Sequence, residues 1–203
     1  MYEIELKAHV EDVDKVREAL NTFAKQNGRS FKRDKYYKLT SHVNSEGYEK
    51  VRVRTENGKT FLTFKKKTLV QNPDGSSMEV NTESETEMNR PETIEMIFNS
   101  IGAQLVLEKT KDTEHWLYRI EKFDLHIELC NVATLGYFIE IEVLSEKNDE
   151  ATVNRIREVE MQILERCGID NSMIESKYYE ILLSEREAQN APDKKDFFKG
   201  MGE

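Results

Sequence analysis

Apolar and charged residues alternate from the start of the chain. In Tyr2-Glu3-Ile4-Glu5-Leu6-Lys7 an extended backbone places Tyr2, Ile4, Leu6 and Ala8 on one face, and Glu3, Glu5, Lys7 and His9 on the other. A helical period follows: Asp12 is a candidate N-cap, and Val13, Val16, Leu20 and Phe23 recur at helical spacing in a helix expected to reach about Asn27 and to end at Gly28. Phe31–Leu39 reads as a strand and Thr40–Gly47 as a polar loop. Tyr48–Thr55 and Thr60–Lys67 then form a hairpin across Asn57-Gly58, a pair suited to a tight two-residue turn. Gln71–Ser77 is a turn or mobile loop, and Met78–Met88 alternates again. Pro91 opens a short helix closed by Gly102. Three more strands are expected at Gln104–Lys111 (running on towards Arg119), Phe123–Cys130 and Tyr137–Leu144. An amphipathic helix over about Asp149–Cys167 stops at Gly168. Lys177–Ser184 is apolar with no clear period. Residues 1–184 are read as one domain, and 185–203 as a polar, mobile tail containing Phe197-Phe198.

This gives about eight strands joined mostly by short turns, which predicts antiparallel pairing, and two or three helices to cover an apolar surface. The same parity then separates charge from hydrocarbon along strand after strand. Arg52 and Arg54 oppose Val51 and Val53, and Phe61, Thr63, Lys65 and Lys67 share a side. Glu83, Glu85 and Glu87 lie together, as do Lys109 and Lys111; Asp124, His126 and Glu128 oppose Leu125, Ile127 and Leu129. Phe138, Glu140 and Glu142 oppose Tyr137, Ile139, Ile141 and Val143. A solvated sheet face would intersperse both signs within each strand. Whole strands of one sign favour the other arrangement: an α+β fold whose sheet forms a closed or nearly closed eight-stranded antiparallel β-barrel, charged inside and flanked outside by amphipathic helices. Such a barrel has room for one small ligand. Buried charge must be paired or coordinated, so the guest would be a polyanion clamped by lysine and arginine, with hard divalent cations on the carboxylates.

Composition narrows the choice. The 203 residues are 37% hydrophobic and 34% charged with a net charge of -9, which disfavours nucleic acid as a partner while leaving room for a local basic cavity around residues 48–67. No stretch approaches the roughly 20 apolar residues of a membrane span, and no basic-then-apolar leader is seen. Cys130 and Cys167 have neither metal-ligand spacing nor a disulfide framework, so a cytoplasmic setting is expected. Trp116 and Tyr118 are expected to pack beneath a helix. His126 has inward parity, with a polar or structural role expected, and neither His42 nor His115 is given a role.

The ordered series Glu3-x-Glu5-x-Lys7, Asp34-Lys35-Tyr36-Tyr37, Arg52-x-Arg54, Leu62-Thr63-Phe64-Lys65, the Glu83/Glu85/Glu87 strand and Leu135-Gly136-Tyr137-Phe138-Ile139-Glu140-Ile141-Glu142 resembles the CYTH superfamily of triphosphate tunnel metalloenzymes. The likeness covers Tyr2 to about Leu183, and its opening is most similar to the class IV adenylyl cyclase branch. It implies Mg²⁺ or Mn²⁺ held by Glu3, Glu5, Glu140 and Glu142, with Glu85, Glu87 and Glu128 as further candidates. It also implies phosphate oxygens held by Lys7, Arg52, Arg54, Lys65, Lys67, Lys109 and Lys111, with Glu3, Glu5, Lys7, Lys65 and Glu140 as the catalytic set. Two departures stand out: Cys130 where relatives often carry Asp, and Lys111 where many carry Arg, which alone grips bidentately.

The implied partner is a small-molecule triphosphate, ATP or tripolyphosphate, with a homodimer as a candidate assembly. Attack by the ribose hydroxyl on the α-phosphorus would make the protein an adenylyl cyclase. Attack by water would make it an inorganic or organic (thiamine or nucleoside) triphosphatase. A tunnel that binds polyphosphate or nucleotide without turnover, and a barrel whose charges serve only each other, are the non-enzymatic alternatives.

Overall fold

The chain runs β1 (Tyr2–His9), α1 (Val13–Phe23), β2 (Lys25–Lys38), β3 (Tyr48–Glu56), β4 (Lys59–Gln71), β5 (Ser77–Met88), α2 (Pro91–Ser100), β6 (Gln104–Ile120), β7 (Phe123–Val132), β8 (Gly136–Ser145), α3 (Glu150–Arg166) and α4 (Tyr179–Asn190). The computed structural model describes residues 1–38, 48–71 and 77–190, of which 48–50, 65–71, 77–79 and 190 are described as backbone only. The expected loop at Thr40–Gly47, the centre of the Gln71–Ser77 turn and the Phe197-Phe198 pair lie outside the described residues.

All eight strands join one closed barrel in the order β1-β5-β4-β3-β2-β6-β7-β8, every neighbouring pair antiparallel. The period-two pattern sets which face is covered. Outward-facing Ile4, Leu6, Leu125, Ile127, Ile139 and Ile141 pack with Val16 and Leu20 of α1 and with Ile156 and Ile163 of α3. On the other side Phe98 of α2 covers Tyr37 and Val53. At one mouth α4 sits against Cys130, Val132 and Phe138 through Tyr179 and Leu182. Trp116 is fully buried and its indole N–H donates to Asn21 Oδ1 at 2.9 Å, so it packs beneath α1.

Local chemistry explains most boundaries. Asp12 and Asp149 cap α1 and α3 by accepting from the backbone N–H of Lys15 (3.2 Å) and Thr152 (3.0 Å). Asn57 (φ 49°) and Gly58 (φ 81°) both take the left-handed conformations that a type I′ hairpin turn demands. One boundary differs from expectation. The first helix stops at Phe23, not near Asn27, because Lys25 and Gln26 pair with Leu117 and Trp116 of the long strand β6. Gly28 (φ 91°) then marks the bulge at which the β2–β6 register shifts, so its backbone freedom serves the strand rather than a helix end. The segment from Lys177 resolves into α4, which continues past Glu185 to Asn190. Among the described residues no helix is long and apolar enough to cross a membrane.

Glu160 stands out in the apolar layer between α3 and the barrel. It is fully buried, and neither carboxyl oxygen has a hydrogen-bond partner. Burial, reinforced by the charges of Glu5 and Glu142 and opposed by Arg157, holds its pKa well above the ordinary carboxylate range. A raised folded-state pKa stabilises the fold below the unfolded value of about 4.3 and loses that contribution as pH rises. Glu160→Met should therefore raise stability by about 1–3 kcal/mol at neutral pH. Urea unfolding should show this gain shrinking towards pH 4.5, and a pH-independent difference would refute the assignment.

Candidate active site

Six strands and α4 direct side chains into a cavity of about 90 Å³. Its lining is Glu3, Glu5 and Lys7 from β1, Lys32 and Tyr36 from β2, and Arg52 and Arg54 from β3. Further lining comes from Leu107, Lys109 and Lys111 of β6, His126 and Glu128 of β7, Glu140 and Glu142 of β8, and Tyr179 and Glu180 of α4. Leu107 is the one aliphatic side chain among these described residues.

The charges are arranged in partnerships. Asp34, fully buried, receives both Arg54 Nε (2.7 Å) and Arg54 Nη2 (2.9 Å), a bidentate clasp, with Lys109 Nζ 3.5 Å away. Glu128 takes Lys32 on one oxygen (2.5 Å) and Lys111 on the other (2.7 Å), and Lys111 also donates to Glu140. Arg52 reaches Thr63 (3.2 Å) and Glu85 (3.4 Å) through Nη2, while its buried Nε has no hydrogen-bond partner among the described residues. Tyr179 donates its hydroxyl to Glu140, and the ammonium groups of Lys7 and Lys109 stand 4.4 and 4.5 Å from its ring centroid. Lys7 Nζ also donates to the Lys177 carbonyl at 2.6 Å.

These partnerships decide ionisation. Burial pushes Asp34 towards the neutral acid, but the Arg54 hydrogen bonds and the charges of Arg54 and Lys109 outweigh it, and its pKa lies far below the usual range. The same contest holds Glu128 well below that range through Lys111 and Lys32, and brings Glu140 to about 2, mainly through Lys111. Lys111 is held well above the ordinary lysine value despite its burial, whereas burial lowers Lys32 and Lys109. Burial also pushes the Cys130 thiol up to about 12, so it is no thiolate nucleophile.

The structure brings ten of the expected site residues to one cavity: Glu3, Glu5, Lys7, Arg52, Arg54, Lys109, Lys111, Glu128, Glu140 and Glu142. Glu85 lies beyond it, bonded to Arg52 and Thr63, and Glu87 is exposed on Lys59. The side chains of Lys65 and Lys67 lie outside the described ones. Lys32, Asp34, Tyr36 and Tyr179 join the site without having been singled out for it. The first three alternate along β2, but Arg33 and Lys35 on its other face are charged too, so parity there does not mark which side is inward. Tyr179 had no such signal, since it arrives from a helix at the tunnel mouth.

The carboxylates fit a hard divalent cation. Glu5 and Glu142 face each other directly in the β1–β8 register, and Glu3 shares their side of the strand. Opposed like charges destabilise a strand pair unless a cation lies between them, and Mg²⁺ or Mn²⁺ prefers such an all-oxygen set.

A closed antiparallel barrel with this ionic lumen is a triphosphate tunnel fold. The CYTH domain profile matches residues 1–179, and the chain belongs to the CYTH family. Proteins of this family are metal-dependent enzymes acting on triphosphates. A candidate adenylate cyclase of Methanocaldococcus jannaschii is 28% identical over 181 residues, covering 88% of this chain and 97% of the relative. Among solved structures, a protein of Pyrococcus horikoshii OT3 superposes with a TM-score of 0.69 at 23% identity, covering 90% of this chain and 99% of its own. A Hippeastrum protein described as a candidate adenylyl cyclase with a dominant triphosphatase activity superposes at 0.62 with 15% identity, covering 91% of this chain and 95% of its own. Both structural likenesses concern the fold.

The Asp34 cluster gives a direct test of what holds the lumen together. Asp34→Ala leaves Arg54 and Lys109 buried without their carboxylate and should cost about 3–5 kcal/mol of unfolding free energy. Combining Asp34→Leu with Arg54→Met should recover much of that in urea titrations. A single-variant loss below about 1 kcal/mol would show that the clasp contributes little beyond a surface pair.

Proposed function

We propose that the protein cleaves a triphosphate inside the tunnel with a divalent metal ion, and that hydrolysis of the terminal phosphoanhydride is its main reaction. One observation carries this reading: six cationic side chains from four strands (Lys7, Lys32, Arg52, Arg54, Lys109 and Lys111) converge on a cavity that also holds a facing pair of carboxylates. Phosphoryl transfer spreads negative charge over the phosphate oxygens, so fixed cations are the chief requirement for catalysis. Arg52, whose buried Nε is unspent among the described residues, and Arg54 would hold the inner phosphates. Lys7 and Lys109 face the same space from the side of α4. Lys111 would exchange Glu140 for a phosphate oxygen, releasing that carboxylate. Lys65 and Lys67 join this set on strand parity alone. A divalent ion, when held by Glu3, Glu5, Glu140 and Glu142, would supply neutralisation of the phosphate oxygens and of the leaving group. Hydrolysis is preferred over cyclisation because ionic side chains outnumber all others in the cavity's described lining, where Leu107 is the one aliphatic side chain. The activity described for the Hippeastrum protein agrees with this preference. The second reading, adenylyl cyclase, is supported by the resemblance of the opening strand and by the Methanocaldococcus jannaschii relative.

Purified protein given tripolyphosphate or ATP with Mg²⁺ or Mn²⁺ should release orthophosphate. Cyclic AMP and pyrophosphate from ATP would establish the second reading instead, and no product from either compound would overturn both. Arg52→Met and Lys111→Met should each lower kcat/KM by about 100-fold or more while keeping the far-ultraviolet spectrum of the fold.

A further inference from the structure

His115 of β6 and His126 of β7 lie at the wall of the tunnel, and the proposed hydrolysis uses neither. Their rings are parallel within 7°, and His115 Nδ1 faces His126 Nε2 at 3.1 Å. Of the outer nitrogens, His115 Nε2 is hydrogen-bonded to Ser30 Oγ at 2.8 Å, and His126 Nδ1 lies beside two carboxylates, 3.9 Å from Glu142 Oε2 and 4.0 Å from Glu128 Oε1. Glu128 completes the group, its Oε1 lying 3.5 Å from His115 Nδ1. One ligand atom from each of the three residues falls within 4.8 Å of the other two.

We infer that His115, His126 and Glu128 form a second metal site, selective for a borderline divalent transition ion such as Zn²⁺ or Co²⁺, with an open coordination position towards the tunnel. Five features support this. Donors bound at about 2.0–2.1 Å to a tetrahedral ion stand about 3.3 Å apart; two edges of the triangle are near that, at 3.1 and 3.5 Å, and the His126–Glu128 edge, within 4.8 Å, shortens when the ion binds. Ligating histidines normally give their other ring nitrogen to a carboxylate, hydroxyl or carbonyl; Ser30 occupies that place for His115, and Glu142 is the neighbouring carboxylate for His126 at 3.9 Å. Lys111 anchors Glu128 through Oε2, which leaves Oε1 as the ligand oxygen. Two imidazoles and one carboxylate suit Zn²⁺ or Co²⁺, whereas Mg²⁺ favours oxygen donors. Three protein ligands leave a position free, and His126 and Glu128 both line the cavity, so that position opens towards a bound anion.

The competitor is internal. Lys32 Nζ sits on Glu128 Oε1 at 2.5 Å and must give way when the ion binds. The site does not depend on the proposed triphosphate chemistry, so its test needs no substrate. Co²⁺ titrated into the full chain should give one equivalent of binding with the visible absorption of low-coordinate, nitrogen-ligated cobalt, and Zn²⁺ should displace it while Mg²⁺ should not. His115→Ala and His126→Ala should each weaken binding by about 100-fold and abolish the absorption, and Ser30→Ala should weaken it by about 10-fold. Lys32→Met should strengthen it by about 10-fold. A variant carrying Glu3→Gln and Glu5→Gln should keep it. Should either alanine variant fail to fold, His115→Asn or His126→Gln with a native far-ultraviolet spectrum takes its place. The inference is overturned if cobalt binding survives loss of the imidazoles, if it disappears with Glu3 and Glu5, or if the wild-type chain shows no nitrogen-ligated spectrum.

Discussion

A charged interior is tolerable only if it is nearly neutral within itself, and that requirement shapes this molecule. The tunnel carries lysines and arginines that would each be costly to bury alone, and each of the deepest carboxylates is shared between cations. Asp34 lies between Arg54 and Lys109, and Glu128 between Lys32 and Lys111. The groups therefore stay ionised in a place where burial alone would neutralise them. A polyanion entering with its metal ions replaces one neutral arrangement by another, so the lumen can exchange internal partners for a ligand without leaving charge stranded.

The outer surface of the barrel makes this interior possible. The outward faces of β1, β7 and β8 are apolar and lie under α1 and α3, and Tyr37 and Val53 lie under α2, so much of the hydrophobic driving force is spent outside the ring of strands. This inverts the usual order of a small globular domain, and it frees the inner faces from any duty to pack hydrocarbon. Where the inner face does turn apolar, at Cys130 and Phe138, α4 covers it and sends Tyr179 to the tunnel's end.

Much of this was legible because a period of two carries both facts at once: where the strands run and which residues share a side. Glu3, Glu5 and Lys7, or Glu140 and Glu142, announce themselves because their alternate neighbours are Ile4, Leu6, Ile139 and Ile141. On β2 the signal fails. Its outward positions include Phe31, Arg33 and Lys35, and with no apolar face to mark the outside, Lys32, Asp34 and Tyr36 could not be assigned to the inside. His115 was hidden by the length of β6, whose far half read as a weak continuation. Tyr179 depends on contact with Lys7, 172 positions earlier in the chain, which no local pattern reports. The early end of α1 has the same origin, since it was decided by the hydrogen-bonding edge of a distant strand.

Closure of the ring has one further consequence. Every strand has a neighbour on each side, but β5 pairs with β1 only over Glu79–Thr82, so among the described residues its stretch from Glu83 to Met88 is paired with β4 alone and leaves a short row of amides and carbonyls unfilled. That border carries Glu83, Glu85 and Glu87, and like charge repeated along an open edge discourages a second copy from extending the sheet there.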